Sequence, residues 1–388
     1  MIIRFAKNRE KEQVKNLWEY SFTDDPKFVD YFFENEYDLK NNVVLLHDGK
    51  LIASLILQEV EVSFYGKIEK LHYIVGVSVA PEYRGYGFST MLMQYVLSFL
   101  AEKKEEIVLL MPIDSAIYRR YGFINIMQNF TAECDIINLS RFRSEYEIEI
   151  AKDPKTMALL YEHAVKKYDI FRTRDINYYE KKISAMEVER AYPFFVKSEE
   201  IKGGGFFNLN ASERTLYITE TICKDSNAWR TVLSFAAHHR TQADKLVLDT
   251  PDIHSLELVH GFDNKWKVER KPFMMARALN PDILLKKWIK RVFKYINCDR
   301  NIVFMIKDDV LKTNETLLKL NVKTGRLNKG LDEKADVVIS PEGIVLLYLC
   351  GFSFRELVNT GYIISEEKIA DMFKDVRSLS SVFVHEYY

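Results

Sequence analysis

The sequence predicts an α/β fold of two successive mixed-sheet units, followed by a smaller α+β domain at the C-terminal end. Three observations carry that expectation. Helix-period and strand-period segments alternate through the first 120 or so residues, the element order of residues 71–123 returns in weaker form at residues 215–262, and short strand-like runs precede two helical ones after Asn301. A chain of 388 residues exceeds one ordinary domain of about 150 residues, so two or three units with sizeable cores are expected.

NREKEQVKNLWEYSF has helical period, and NNVVLLHDGKLIASLILQEVEVSFYG reads as two strands around Asp48-Gly49. LHYIVGVSVA is a further strand. After the turn that follows it, Phe88, Met91, Leu92, Tyr95, Val96 and Phe99 fall on one stripe of a helix and are expected to face the core. IVLLMPID then reads as a buried strand, reached by a parallel crossover. The echo is TLYITETICKDSNAWRTVLSFAAHHRTQADKLVLDTPDIHSLELVHGF, in which VLLMPID has its counterpart in LVLDTPD and YGF in HGF, which suggests a duplicated unit. Its loop, CKDSNAW, has no glycine, so the copy reads as scaffold and the first unit as the working one. Beyond a basic helix, PDILLKKWIKRVFKYI, whose Lys/Arg face is expected to be solvated, NIVFMIKDD and TLLKLNV read as strands, and SPEGIVLLYLCG and SEEKIADMFKDV as helices.

Composition excludes several function classes. Apolar residues make up 47%, charged residues 29%, and the formal net charge is -1, which gives no broad attraction to nucleic acid or to a membrane surface. The opening MIIRFAKNREKEQ places charges ahead of any signal-peptide core, and IVLLYLCGF is far short of the roughly 20 residues a spanning helix needs. A cytoplasmic protein is expected. Cys134, Cys223, Cys298 and Cys350 are scattered singly, without a CxxC pair, so no metal site is expected and buried free thiols are.

The chemistry concentrates in VGVSVAPEYRGYGFS, residues 75–89. A strand hands over to a helix through a basic turn with glycines at 85 and 87. Glycine lets the backbone approach a ligand closely, the helix start directs amide N–H groups and its positive dipole end at the same point, and Arg84 adds a fixed charge. Together these describe a phosphate seat. Neither GxxxxGK[ST] nor GxGxxG is present.

Arg84-Gly85-Tyr86-Gly87-Phe88-Ser89 resembles the pyrophosphate loop of the GNAT acetyltransferase superfamily, with Ser89 departing from the usual last glycine or alanine. The preceding strand, through Val77, Ser78 and Val79, is similar to the strand along which those enzymes carry acetyl-CoA. The resemblance implies acetyl-CoA as co-substrate, its pyrophosphate held by Arg84 and the amides from Gly85 to Thr90, with Tyr86 and Phe88 in the loop. Amides near Val77 and Val79 would face the thioester carbonyl where the strand splays. Tyr118, on the short helix after IVLLMPID, is the implied acid for the leaving thiolate, with Tyr121 the competing candidate.

A GNAT unit, a degenerate GNAT-like unit and a small terminal domain in this order resemble the enhanced intracellular survival (Eis) family over essentially the whole chain. The resemblance divides the chain into residues 1–145, 146–284 and 285–388. The last segment, with Ala335-Asp336-Val337-Val338 and then Phe354-Arg355-Glu356-Leu357-Val358-Asn359-Thr360-Gly361, is similar to the sterol carrier protein fold. Membership implies that the C-terminal carboxylate, here that of Tyr388, enters the first domain as general base, with His385 a competitor, and that the protein is a homo-oligomer, a hexamer. It also implies a small cationic amine as acceptor, aminoglycoside-like, or a lysine. An acidic cleft for it could draw on Asp24, Asp25, Glu34, Glu36, Asp38 and Glu386, with Trp18, Phe22, Tyr31, Phe32 and Phe33 among them; Asp25, Phe22 and Glu36 are the substrate-binding candidates. The alternative is a lipid or acyl-CoA carrier using the apolar helix around Ile344 to Leu349.

Overall fold

In the computed structural model, residues 1–250, 256–257, 265–330, 333–374, 376 and 381–386 are described. Strand β1 (Ile2–Phe5) pairs with β2 (Asn42–His47), and helices α1 (Lys11–Ser21) and α2 (Pro26–Asn35) lie between them in sequence. Asp48 and Gly49 both have positive φ, 49° and 81°, the geometry of a tight hairpin turn. That turn joins β2 to the long β3 (Lys50–Phe64), which pairs with β4 (Lys67–Val79). Helix α3 (Phe88–Glu102) crosses over to β5 (Ile107–Leu110), parallel to β4. All four β5 residues are buried: Ile107 and Leu109 join the core under α1 and α2, Val108 and Leu110 the one under α3. Alternation along the strand thus makes three layers. Along α3 the buried residues are Leu92, Met93, Val96, Leu97 and Leu100, while Met91 is exposed and Phe88, Tyr95 and Phe99 are half-buried. The stripe expected from periodicity is therefore rotated by about one residue, because the sheet meets the helix on its most continuously aliphatic side.

Helix α4 (Ser115–Arg119) leads into β6 (Ile124–Asp135). The second unit follows with β7 (Glu147–Ile150), α5 (Pro154–Val165), β8 (Ile170–Arg172), α6 (Ile176–Val188), β9 (Ala191–Lys197) and β10 (Ile201–Asn210). Then β11 (Thr215–Cys223), α7 (Ser226–Ala237) and β12 (Lys245–Thr250), parallel to β11, repeat the strand–helix–strand crossover that the echo predicts. The His-Gly-Phe of that echo, residues 260–262, lies outside the described residues.

Strand β13 (Lys267–Ala278) explains how the units join. The sheet order is β1-β2-β3-β4-β5-β13-β6-β12-β11-β10-β9-β7. Each unit thus receives, beside its own last parallel strand, the long strand contributed by the other. β6 and β13 pair antiparallel from Glu133↔Lys267 to Ile124↔Ala276, long enough to serve both units at once. One continuous sheet results.

Helix α8 (Pro281–Val292) opens the last segment, whose strands β14 (Ile302–Ile306), β15 (Thr316–Asn321), β16 (Arg326–Lys329), β17 (Val337–Ile339) and β18 (Ile363–Ser365) form a separate sheet ordered β16-β15-β14-β17-β18. Helices α9 (Pro341–Tyr348), α10 (Phe354–Asn359) and α11 (Glu367–Met372) complete it. Residues 344–349 are buried in the core. The basic face is solvated as expected at Lys286, Lys290, Arg291 and, just past α8, Lys294, which are exposed, but Lys287 is half-buried. Lys287 reaches Glu69 and Glu106 at 3.1 and 2.6 Å, and Arg291 lies over the Tyr65 ring, so the helix fastens the last segment to the first unit. Of the thiols expected to be buried, Cys134 is, while Cys223, Cys298 and Cys350 are half-buried. No described helix is long and apolar enough to cross a membrane.

After α11 the chain returns to the large sheet. β19 (Val382–Phe383) pairs parallel with β8, which itself pairs with the far end of β3.

Candidate active site

The site begins where β4 and β5 part. Their pairing covers His72 to Ile74 against Val108 to Leu110, yet β4 continues to Val79. Beyond Ile74 the β4 edge faces a gap rather than a strand. A bulge against β3 falls at the same place, between Ser54 and Ile56, and Gly76 there has φ +63°. A Cβ on Gly76 would stand 2.2 Å from the Trp18 ring, so glycine is required both by the backbone and by the close approach of α1. Val77, Ser78 and Val79 follow on the splayed stretch, and the Ser78 hydroxyl donates to the Ser54 carbonyl at 3.4 Å.

The loop that follows is open and basic. Gly85 and Gly87 have φ +84° and +83° with open space where a Cβ would sit, and Gly87 caps α3. The first amides of a helix have no intrahelical acceptor, so those of Phe88, Ser89 and Thr90 are presented at this point beside the dipole's positive end. Arg84 Nε donates to the Val79 carbonyl at 3.1 Å and the guanidinium lies over the Tyr20 ring, which ties the loop's charge to the end of the splayed strand. Tyr86 is exposed at the loop tip. The residues present fit a pyrophosphate: convergent amides, a cation and no side chain in the cradle.

On the α3 side of the gap, Asp114 caps α4 by accepting from the Ala116 amide at 2.8 Å. This places Tyr118, buried and edge-on to Phe123, just past the end of β5. Burial, with a smaller contribution from neighbouring Tyr121, raises the Tyr118 pKa and keeps the phenol protonated. The Tyr121 hydroxyl is hydrogen-bonded to that of Thr90 at 3.0 Å, so it is committed to the first turn of α3.

On the other side a cleft of about 850 Å³ lies between α2, β3, α6 and Glu386. Asp24, Glu36, Glu59, Glu61 and Glu386 are in its wall. Burial raises the Glu36 pKa against the pull of Lys181, Lys182 and Arg172. The other acidic candidates lie elsewhere. Asp25 caps α2 by accepting from the Lys27 amide at 2.8 Å, Asp38 accepts from the Lys40 amide, and Glu34 is exposed. Phe22 lies tilted against Trp18 with ring centres 5.0 Å apart, Phe32 and Phe33 are core, and the Tyr31 hydroxyl donates to the Lys181 carbonyl. Trp18 donates from Nε1 to Asp24 at 2.8 Å, which links the cleft wall to the Gly76 bulge.

Sequence reasoning missed the group that receives the C-terminal segment. Glu386, 4% exposed, is ion-paired with Arg172 and accepts from the Tyr178 hydroxyl at 3.1 Å. Arg174 donates to the His385 carbonyl and pairs with Glu220, which also meets Lys182 at 3.2 Å. The His385 ring stacks on Phe273 at 4.4 Å, and burial lowers its pKa to about 3. Tyr387 and Tyr388 lie outside the described residues. A signal was present: Arg172 and Arg174 alternate in Phe-Arg-Thr-Arg, so both point to one face of β8 and its continuation. Among the described residues no group of His, Cys, Asp and Glu is arranged to hold a metal.

Residues 2–125 match the acetyltransferase (GNAT) domain family. This stretch is a GNAT acetyltransferase domain. The enzyme class it defines is that of the N-acetyltransferases. Residues 289–385 match the sterol carrier protein domain. Solved structures share the fold from end to end. A GCN5-related N-acetyltransferase from Anabaena variabilis is 19% identical with a TM-score of 0.75, covering 100% of both chains. A probable N-acyltransferase from Enterococcus faecalis is 18% identical with a TM-score of 0.77, covering 100% of this chain and 99% of the other. Eis1 from Mycobacterium abscessus is 15% identical with a TM-score of 0.71, covering 100% of both. The chain thus carries the GNAT domain and the C-terminal sterol carrier protein domain that the Eis resemblance implies. No curated relative matches it by sequence.

Proposed function

We propose that the protein transfers acetyl from acetyl-CoA to a primary amine of a cationic small molecule, aminoglycoside-like, or of a lysine, by direct attack. The observation that carries this reading is the parting of β4 and β5 immediately before a glycine cradle at the start of α3. Acetyl-CoA supplies an activated acetyl group as a thioester. Arg84 and the amides from Gly85 to Thr90 hold its pyrophosphate, and the splayed stretch of Val77, Ser78 and Val79 holds the pantetheine arm and turns N–H groups to the carbonyl oxygen. As the amine nitrogen bonds to the carbonyl carbon and the carbon–sulfur bond breaks, Tyr118 protonates the departing sulfur. The amine's proton passes to the Tyr388 carboxylate. Glu386 is in the cleft wall, and two further residues span at most about 7 Å, which supports the reading of that carboxylate as base. The His385 ring lies flat on Phe273 rather than in the wall, which favours the carboxylate as base.

The cleft's carboxylates outnumber its cationic side chains, and a desolvated Glu36 gains most from a cationic guest. Both suit an amine carrying positive charge. A cytoplasmic homo-oligomer, a hexamer, rests on the family resemblance, and sedimentation of the purified protein tests its assembly. The carrier alternative finds an apolar groove of about 500 Å³ between β6 and the last domain, lined by Leu346, Cys350 and Phe352.

Calorimetric titration separates the two. Acetyl-CoA binds the wild type and binds Arg84→Glu at least about 10-fold more weakly, from loss of a charge-assisted contact. Equal acetyl-CoA affinity in the two proteins, or heat only from lipid, overturns the enzymatic reading. A screen of amines and aminoglycosides for thiol release then identifies the acceptor.

A further inference from the structure

The second unit repeats the strand geometry of the first unit's candidate acetyl site. Tyr217-Ile218-Thr219-Glu220 in β11 occupies the place of Tyr73-Ile74-Val75-Gly76 in β4. In both units the parallel pairing ends at the isoleucine, Ile74↔Leu110 and Ile218↔Leu248. In both, the strand itself carries one extra residue there against its antiparallel neighbour, Val75 to Ser78 facing Ile56 to Ser54 and Thr219 to Ile222 facing Phe206 to Gly204. Two positions past the isoleucine stands a residue of positive φ, Gly76 at +63° and Glu220 at +49°. The left-handed conformation is costly for a glutamate, so it persists only where the side chain's contacts hold it.

Those contacts are with the residues that grip the chain's end. The Glu220 side chain, 6% exposed, accepts from Arg174 at 2.9 Å and meets Lys182 at 3.2 Å. Arg174, 2% exposed, lies over the rings of Tyr161 and Tyr178, donates to the His385 carbonyl and stands 3.8 Å from Glu386. Arg172, the last residue of β8, pairs with Glu386. Without Glu220, Arg174 would keep only the more distant Glu386, which Arg172 already shares, so buried positive charge would be in excess.

We infer that Glu220 and Arg174 are positioning residues: the relic acetyl site of the second unit is the anchor that holds the C-terminal segment beside the acceptor cleft of the first. The consequence for catalysis rests on the proposed role of the Tyr388 carboxylate, whereas the anchoring itself does not.

The test uses the full chain carrying Arg174→Gln or Glu220→Gly, the latter compatible with a positive φ, each first checked for cooperative thermal unfolding. The rate at which a carboxypeptidase releases the terminal tyrosines, followed by mass spectrometry, rises at least about 10-fold over wild type. With an amine that the wild type acetylates, kcat falls at least about 10-fold while KM for acetyl-CoA stays within about twofold, and deleting Tyr388 in the same variant lowers kcat no further. Release at the wild-type rate in a folded variant overturns the anchor. Faster release with undiminished kcat upholds the anchor and refutes the terminal carboxylate as base.

Discussion

At Gly76 two demands coincide, a φ of +63° and a Trp18 ring 2.2 Å from any Cβ. Gly76→Ala is expected to cost about 1–3 kcal/mol of stability, since the backbone strains and the ring must move. It also weakens acetyl transfer, because Trp18 carries Asp24 of the cleft wall. An unchanged denaturation midpoint would show that the bulge has another shape. Tyr118 poses a different question, since its buried phenol stays protonated and the role proposed for it begins only when sulfur leaves. Tyr118→Phe lowers kcat by about 10² or more and leaves acetyl-CoA affinity within about twofold, the pattern of a lost proton donor. Full turnover in that variant would pass the role to another group.

At the scale of elements, β19 is a two-residue strand whose hold on β8 depends on the residues after it. His385 is neutral there, its pKa lowered to about 3 by burial, with Glu220 acting in the opposite sense and Arg174 and Lys182 lowering it further. In the unfolded chain a histidine titrates near 6.5. Between those values the unfolded state binds the extra proton, so stability is present above pH 6.5 and declines as pH falls toward 3. Thermal unfolding midpoints at pH 7.5 and 5.0 should therefore differ more for the wild type than for His385→Phe, which keeps the stack on Phe273 and removes the titration. Equal pH slopes in the two proteins would show that His385 does not report the tail. Helix α8 makes the complementary point, since Lys287 and Arg291 meet Glu69, Glu106 and Tyr65 of the first unit and a helix wheel cannot tell these two from the exposed lysines beside them.

For the whole molecule, the reciprocal placement of β6 and β13 ties the two units into one cooperative body. In the order β5-β13-β6-β12, removing β13 leaves β5 and β6 with open edges and strips Met274, Met275 and Ala276 from the core. A polypeptide ending at residue 145 is expected to aggregate or to lack cooperative unfolding, although it contains every residue assigned to acetyl-CoA. A soluble fragment of that length that unfolds cooperatively and binds acetyl-CoA would contradict the shared sheet.

The alternation of strands and helices, the Asp48-Gly49 turn, the glycine cradle after Arg84 and the duplicated order of elements were determined by the sequence itself. Each is written in local chemistry: side-chain period, left-handed turns and free amides at a helix start. The rotated face of α3, the clamp made by α8, the exchange of β6 and β13, and the meeting of Arg174, Glu220 and Glu386 were decided only by tertiary structure. Those residues stand 46 and 166 positions from Glu220, and nothing in a local window says which charge will be buried against which. Burial makes that choice, because a desolvated ion must find its partner wherever the folded chain has brought one.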